Sequence, residues 1–405
     1  MLSRQPSSRR SVRTMAARAT LAAVATILAG FALADSFAHA LARSSPSQAR
    51  VLAPWDGKIA GKAAERAMNI APVADGDSQP ARLARAAIAL EPTSAEAFGV
   101  LGMQAQLRSQ TEEARILFAY SLKLSRRELP PRLWAIEEAV GRGDLDQALR
   151  HYDIALRTSD QASARLFPPL ASALDEQRVR QGVVKLLAAN PPWREGFISY
   201  AARAGTSPRG TAALFRAAEA NRIPVSPEMR TALVDSFANQ GLFREAWSYY
   251  ASIRPGAQRN RSRDPRFTFA EPRTSLFDWT TGEFASLQQS GDNGVVGFFA
   301  PPATGGTLVS QAQLLPPGRY TLQGKSSDVD LPDESLPYWT LTCAGDRELG
   351  RVVVPPSATN GGRFRGQFLV PAGCPWQMLS LVARPTDDYR GVTGQIETVV
   401  LEPAR

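Results

Sequence analysis

The chain has 405 residues, 44% of them apolar and 21% charged, the balance of a folded protein with room for two or three domains. Two histidines and two cysteines are too few for a multi-ligand metal centre and few for a hydrolase of this size. The net charge of +9 is dispersed: 27 basic face 22 acidic residues over 43–253, and 10 face 14 over 268–405. With no concentrated polybasic body, a nucleic-acid partner is not expected.

Arg4, Arg9, Arg10, Arg13 and Arg18 precede an apolar run over 19–34, with no acid before it. A basic end followed by such a run predicts a membrane-targeting helix with its start in the cytoplasm and the body outside. Residues 1–42 are therefore read as a basic tail and apolar segment. Two outcomes compete. Ala32-Leu33-Ala34 and Ala38-His39-Ala40 both have the small-x-small form of a cleavage site. Apolar patterning, however, continues through Phe37, Ala38, Leu41 and Ala42, which favours an uncleaved single-pass anchor in an inner membrane with a periplasmic body.

Over 45–255 the pattern is helical. Ala114 and Phe118 sit four apart, and Ala148 and Tyr152 repeat the pair 34 residues later. Phe98, Leu101, Gly102 and Ala105 precede the first pair at the spacing of a helix that crosses it. Leu233, Phe237, Ala246 and Tyr250 give another such set with Gly241 between. Ala87 with Pro92, and Ala49 with Pro54, read as the ends of two more units. Small residues at helix crossings, large ones where helices interlock, and this period resemble the tetratricopeptide repeat. That resemblance implies an α-solenoid of about five hairpins with a concave groove for protein partners. The fit is imperfect. Ser121 stands where the family prefers Ala, and Arg132 and Ile136 fill the aromatic and Gly positions before Ala148. Over 161–224, Pro168, Pro169, Pro191, Pro192, Pro208 and Pro224 are expected to punctuate the chain into hairpin-length pieces. His151 is expected on a helix surface.

Residues 255–265 read Pro-Gly-Ala-Gln-Arg-Asn-Arg-Ser-Arg-Asp-Pro. Helical periodicity stops, and 256–267 is predicted to be an exposed, solvated linker. From 268 to 405, short β-rich runs alternate with Gly, Pro and Asp clusters, predicting an antiparallel β-sandwich. Strands are expected over 295–299, 308–315, 319–323, 338–343, 351–354, 363–370, 377–382 and 395–401. Period-two reading turns Trp339, Leu341 and Cys343 inward, with Phe364, Phe368 and Val370. It turns Tyr338, Thr340, Thr342, Arg363, Arg365 and Gln367 outward. Trp279 is also assigned to the core. Cys343 and Cys374 are expected to form a disulfide, because two cysteines in an exported domain pair more readily than they stay free.

This last region resembles the jelly-roll sandwiches of carbohydrate-binding modules. The organisation as a whole resembles tetratricopeptide proteins associated with bacterial exopolysaccharide production, which implies a role in glycan assembly or export. For a glycan-binding sandwich the candidate residues are Tyr338 and Trp376 as stacking platforms, with Tyr389 a third, and Arg363, Arg365 and Gln367 as polar partners. Asp328, Asp330, Asp333 and Glu334 are read as a solvated loop, since the glycine and distal glutamate of a calcium loop are missing. The sequence has no phosphate-cradling loop, nucleophile elbow or His-x-Glu pair. The expectation is a scaffold without a cofactor, acting through protein partners, polysaccharide and the inner membrane. The rival is a polysaccharide-modifying enzyme, whose two carboxylates can lie far apart in sequence.

Overall fold

The computed structural model describes residues 8–268, 274–290 and 293–404; Arg4 of the basic tail lies outside them. The protein is a multidomain α + β chain, with fourteen helices among the described residues followed by two antiparallel sheets. It divides into two compact units, 1–166 and 167–405.

The first unit is helical. It contains α1 (Ser8–Leu41), α2 (Pro46–Leu52), α3 (Gly57–Ile70), α4 (Gln79–Leu90), α5 (Ala95–Leu107), α6 (Thr111–Leu124), α7 (Leu129–Gly141), α8 (Leu145–Thr158) and the start of α9 (Ala162–Ser172). Successive helices pair as hairpins: α1 with α2, α3 with α4, α5 with α6, and α7 with α8. The crossings are made by small residues. Ala60, Ala64, Ala84 and Ala87 are fully buried between α3 and α4. At Gly102 a Cβ would lie 2.7 Å from Phe118 Cδ1, so α5 and α6 approach too closely there for any side chain. Ser121 fits in place of Ala because its buried hydroxyl donates to the Ala95 carbonyl at 2.8 Å. Helix starts are set by Asp56, which accepts from the amides of Lys58 and Ile59, and by Asp144, which accepts from that of Gln147. Arg132 is buried, and its Nη1 donates to His151 Nδ1 at 2.9 Å. His151 is thus half-buried rather than a surface residue. Burial first, and Arg132 second, lower its pKa.

The second unit joins α10 (Gln177–Ala188), α11 (Arg194–Ala204), α12 (Pro208–Ala220), α13 (Pro227–Asn239) and α14 (Phe243–Ile253) to the β-sandwich. Pro168 and Pro169 do not end a helix; both lie inside α9, where burial of Leu166, Leu170 and Ala171 offsets the lost backbone bonds. Pro208 instead opens α12, as a first-turn proline should. Gly241, at φ +73°, makes the left-handed turn between α13 and α14.

The strands are β1 (Thr280–Thr281), β2 (Ala285–Ser290), β3 (Asn293–Ala300), β4 (Gly306–Gln313), β5 (Gly318–Ser327), β6 (Tyr338–Cys343), β7 (Arg347–Val353), β8 (Arg363–Val370), β9 (Gln377–Ala383) and β10 (Val392–Pro403). One sheet runs β1-β4-β9-β6-β7 and the other β2-β3-β10-β5-β8. Trp339, Leu341 and Cys343 on β6 and Phe364, Phe368 and Val370 on β8 are buried in one shared core with Trp279. Cys343 and Cys374 form a disulfide across a Cα separation of 5.6 Å.

The segment before the sandwich is solvated only in part: 258–260, Pro265 and Arg266 are exposed, as expected of a linker, but Ser262, Arg263 and Phe267 are buried. The Ser262 amide donates to the Leu401 carbonyl at 2.8 Å, and the Val399 amide donates to the Pro265 carbonyl at 3.0 Å. The segment therefore satisfies β10 beyond Ile396, where its register with β3 ends. Arg259 donates to the Leu314 carbonyl and Arg261 pairs with Glu402 at 2.6 Å. Charge alone suggested exposure; the strand edge supplies partners that make burial tolerable.

Arg263 is the centre of the contact between α14 and the sandwich. Its Nε donates to the Phe277 carbonyl at 2.8 Å, its Nη1 to Gln313 at 3.0 Å, and its Nη2 to the Ala312 carbonyl. The guanidinium lies 5.2 Å from the Trp247 ring centroid. Burial lowers its pKa to about 10, against the opposing pull of Tyr250 and Asp278. Tyr250 donates to Asp278 Oδ1 at 2.7 Å, and Ser275 bonds the other carboxylate oxygen.

Candidate functional site

Two surfaces gather polar side chains from several elements. The first is in the helical unit. In three successive hairpins the leading helix contributes a glutamate to one depression: Glu65 from α3, Glu96 from the first turn of α5, and Glu128 at the residue preceding α7. Met68, Val100, Met103 and Pro131 form its apolar wall. Burial raises the pKa of Glu128 to about 7, with the negative charges of Glu96 and Glu65 adding to the rise. Glu65 is raised by burial first and by Glu96 second; Lys62 pulls the other way. The internal space is about 20 Å³, room for one water but not for a sugar ring. Sequence reading missed these three residues. Their signal was spacing: acids recur after 31 and then 32 residues, one hairpin apart.

The second surface is the outer face of the β2-β3-β10-β5-β8 sheet. Period two turns Arg363, Arg365 and Gln367 outward on β8, all exposed. Register places Lys325 beside Arg363, Gln323 beside Arg365 and Thr321 beside Gln367. Arg363, Arg365, Gln323, Lys325 and Glu402 line a broad open depression. Lys325 pairs with Glu397 at 2.7 Å. The rows could accept a hydroxylated or anionic chain through hydrogen bonds. Gln323 was missed because the alternation along 319–323 was read for a strand and not for its polar face, and Lys325 because the strand was expected to end at 323, whereas β5 runs to Ser327.

The aromatic candidates are elsewhere. Tyr338 belongs to the other sheet, where its ring has Arg351 at 4.5 Å and Arg384 at 5.0 Å from its centroid. Trp376 stacks on Phe243 of α14, with ring centroids 4.6 Å apart and planes 17° apart. Tyr389 is 87% exposed on a loop. The expected group of Tyr338, Arg363, Arg365, Gln367 and Trp376 is therefore split. The three polar residues are neighbours, and neither aromatic joins them, because strand order sends β6 and β8 to different sheets.

No protein-family model matches the chain, and no curated protein matches it. Solved structures similar to parts of it include the following three. One is a glycosylation-associated protein complex, Gap123, from Streptococcus agalactiae, at 17% identity over 30% of this chain and 39% of that chain, with a TM-score of 0.21. Another is the C-terminal carbohydrate-binding module of a laminarinase from Zobellia galactanivorans, at 14% identity over 30% of this chain and 89% of that chain, TM-score 0.21. The third is a 4-O-methyl-α-glucuronidase, at 8% identity over 81% of this chain and 45% of that chain, TM-score 0.22. The chain thus spans about two fifths of the first and less than half of the third. At TM-scores this low, the residues described above carry the functional reading.

Proposed function

We propose that this chain is a non-catalytic, membrane-anchored scaffold whose helical region, 45–255, is a tetratricopeptide-type solenoid that recruits a protein partner. The observation that carries the reading is the groove. Three hairpins present Glu65, Glu96 and Glu128 beside an apolar wall, a surface that exists only because the hairpins stack. Its internal space suits a side-chain tip from an extended partner better than a sugar. A photo-crosslinker at Met103 should capture one discrete protein in cells, whereas the same group at Ile116, 69% exposed on α6, should not. Equal adducts from both positions would refute recruitment through the groove.

The anchor reading is supported by packing. α1 is the helix among the described residues that is long and apolar enough to cross a membrane. Its last turns also belong to the first hairpin: Ala38 and Ala42 are buried against Ala49, Ala53 and Ile59. Cleavage before Leu41 would remove Ala38 from that core. With a periplasmic body, alkaline phosphatase fused after residue 60 should be active, and an inactive fusion would refute the orientation. The process served is read as surface-polysaccharide assembly, a reading that rests on resemblance of organisation.

One observation favours a second reading. Glu128, raised by burial to about 7 beside two other carboxylates, has the protonation behaviour of a general acid. The depression does not enclose a sugar ring, so a substrate would have to reach it from outside. If the chain turns over glycan, Glu128→Gln should abolish the activity; retained activity would exclude this cluster as catalytic. Glycan held without turnover belongs to the Arg363–Arg365 face, and Arg365→Ala in the full chain should weaken it at least about tenfold.

A further inference from the structure

The outer end of α1 carries a surface that the anchor alone does not explain. The chain from α2 to the start of α3 runs back along α1. Ala49 and Ala53 pack against Ala42 and Ala38, His39 Nε2 lies 3.4 Å from Asp56, and Phe31 stacks on Trp55 with ring centroids 4.1 Å apart. Trp55 thus lies at the level of Phe31, one turn closer to the start of α1 than Asp35. Val51 is 81% exposed and Trp55 is 42% exposed, with Leu52 exposed between them. These are large apolar side chains next to an apolar helix.

Depth along α1 decides what covers them. The sixteen apolar residues 19–34 rise about 24 Å, and Arg18, snorkelling toward the headgroups at one end, brings the span close to the roughly 30 Å of a bilayer's hydrocarbon core. Asp35, His39 and Asp56 form a polar cluster whose ligating atoms lie within 4.8 Å of one another, and they mark the water side of the boundary, since such groups are costly in hydrocarbon. Phe31 lies about 6 Å on the lipid side of Asp35. Trp55, held against Phe31, sits at the interface, the depth that tryptophan prefers.

We propose that Trp55, with Leu52 one turn before it, forms a foot that enters the outer leaflet and seats the first hairpin on the membrane, while Val51, level with Asp35, stands at the water boundary. The inference rests on the anchor reading and goes beyond it: the lipid surface then contacts the first hairpin at a second place, besides the span. The occupant is lipid, because the patch is continuous with the spanning helix and lies at its membrane level.

The test uses the full chain in phosphatidylcholine vesicles. Carbonate-resistant flotation reports the anchor by itself. Lipids brominated near the headgroup end of the acyl chains should quench Trp55 and leave the other six tryptophans unquenched. The loss is then up to about a seventh of the emission, and Trp55→Phe, which keeps an aromatic ring against Phe31, should abolish it. A nitroxide on Leu52→Cys should collide with oxygen several-fold more than with a water-soluble nickel chelate. A chain that floats but shows the same quenching with Trp55→Phe, or a label that favours nickel, overturns the foot and leaves the anchor standing. A label shielded from both reagents means that protein covers the patch, which also overturns it. A chain extracted by carbonate overturns the anchor and the foot together.

Discussion

Replacing Glu128 by Gln should change the stability of the helical unit in a pH-dependent way. The native pKa of Glu128 is raised from 4.5 to about 7 by burial and by Glu96 and Glu65. Between those values the native state binds more protons than the unfolded state. Stability should therefore be fully present below about pH 4.5 and fall as pH rises through 7. A shift of this size corresponds to at most about 3 kcal/mol, and partial solvent access at the groove brings the expected loss to about 1–3 kcal/mol. Gln keeps the shape and removes the charge. Glu128 makes no cap bond to the α7 backbone, so no helix cap is lost. Hydrogen exchange of the α3, α5 and α7 amides, compared between wild type and variant at equal pH, isolates this unit. At pH 8 the variant should be protected about 5- to 100-fold better, and at pH 4.5 the two should agree. An equal difference at both pH values, or none at pH 8, would refute the raised pKa that burial, with Glu96 and Glu65 beside it, gives Glu128 in the groove.

Gly102→Ala should destabilise the helical unit by about 1–3 kcal/mol, because the new Cβ meets Phe118 at 2.7 Å; a thermal midpoint unchanged from wild type would show that Phe118 moves aside freely. Asp278→Asn should cost about 1–3 kcal/mol in the second unit, because an amide NH2 would face the Ser275 amide that now donates to the carboxylate, seen as protease cleavage within 254–267; resistance equal to wild type counts against that role. Cys343→Ser with Cys374→Ser should remove about 3–4 kcal/mol by releasing a cross-link between residues 31 apart, read as a lower urea midpoint; a shift below about 1 kcal/mol would mean the reduced chain keeps that loop closed.

Much of the fold was legible because its signals are local. Phe364, Phe368 and Val370 alternate with arginines, so both the extent of β8 and its inner face followed from period two. β2 was missed because Ala-Ser-Leu-Gln-Gln-Ser is polar and weakly β-forming, as an edge strand can be. The groove was less legible. Glu65, Glu96 and Glu128 look like ordinary helix-surface acids until the hairpins are stacked. The split of Tyr338 and Trp376 from Arg363 and Arg365 is a matter of strand order, which alternation along one strand does not encode. Arg263 was read as solvated because its partners, Phe277, Ala312 and Gln313, are mostly backbone and neutral groups up to 50 residues away.

The attachment of residues 262–267 along β10 bears on how such a protein can be taken apart and recombined. A polypeptide beginning at 268 would lack Phe267, which packs on Trp279, and would leave part of β10 with open backbone donors and acceptors. One beginning after α14 would also uncover Phe277, which α14 covers with Trp247 and Tyr250. The fragment beginning at 268 would present both a bare strand edge and an apolar patch to its own copies, the conditions for intermolecular pairing. The sandwich is therefore poorly suited to being shuffled between genes as a free-standing cassette. Its natural unit of inheritance includes the last helical hairpin, and insertions are better tolerated at the exposed tip near Tyr389 than anywhere between 254 and 267.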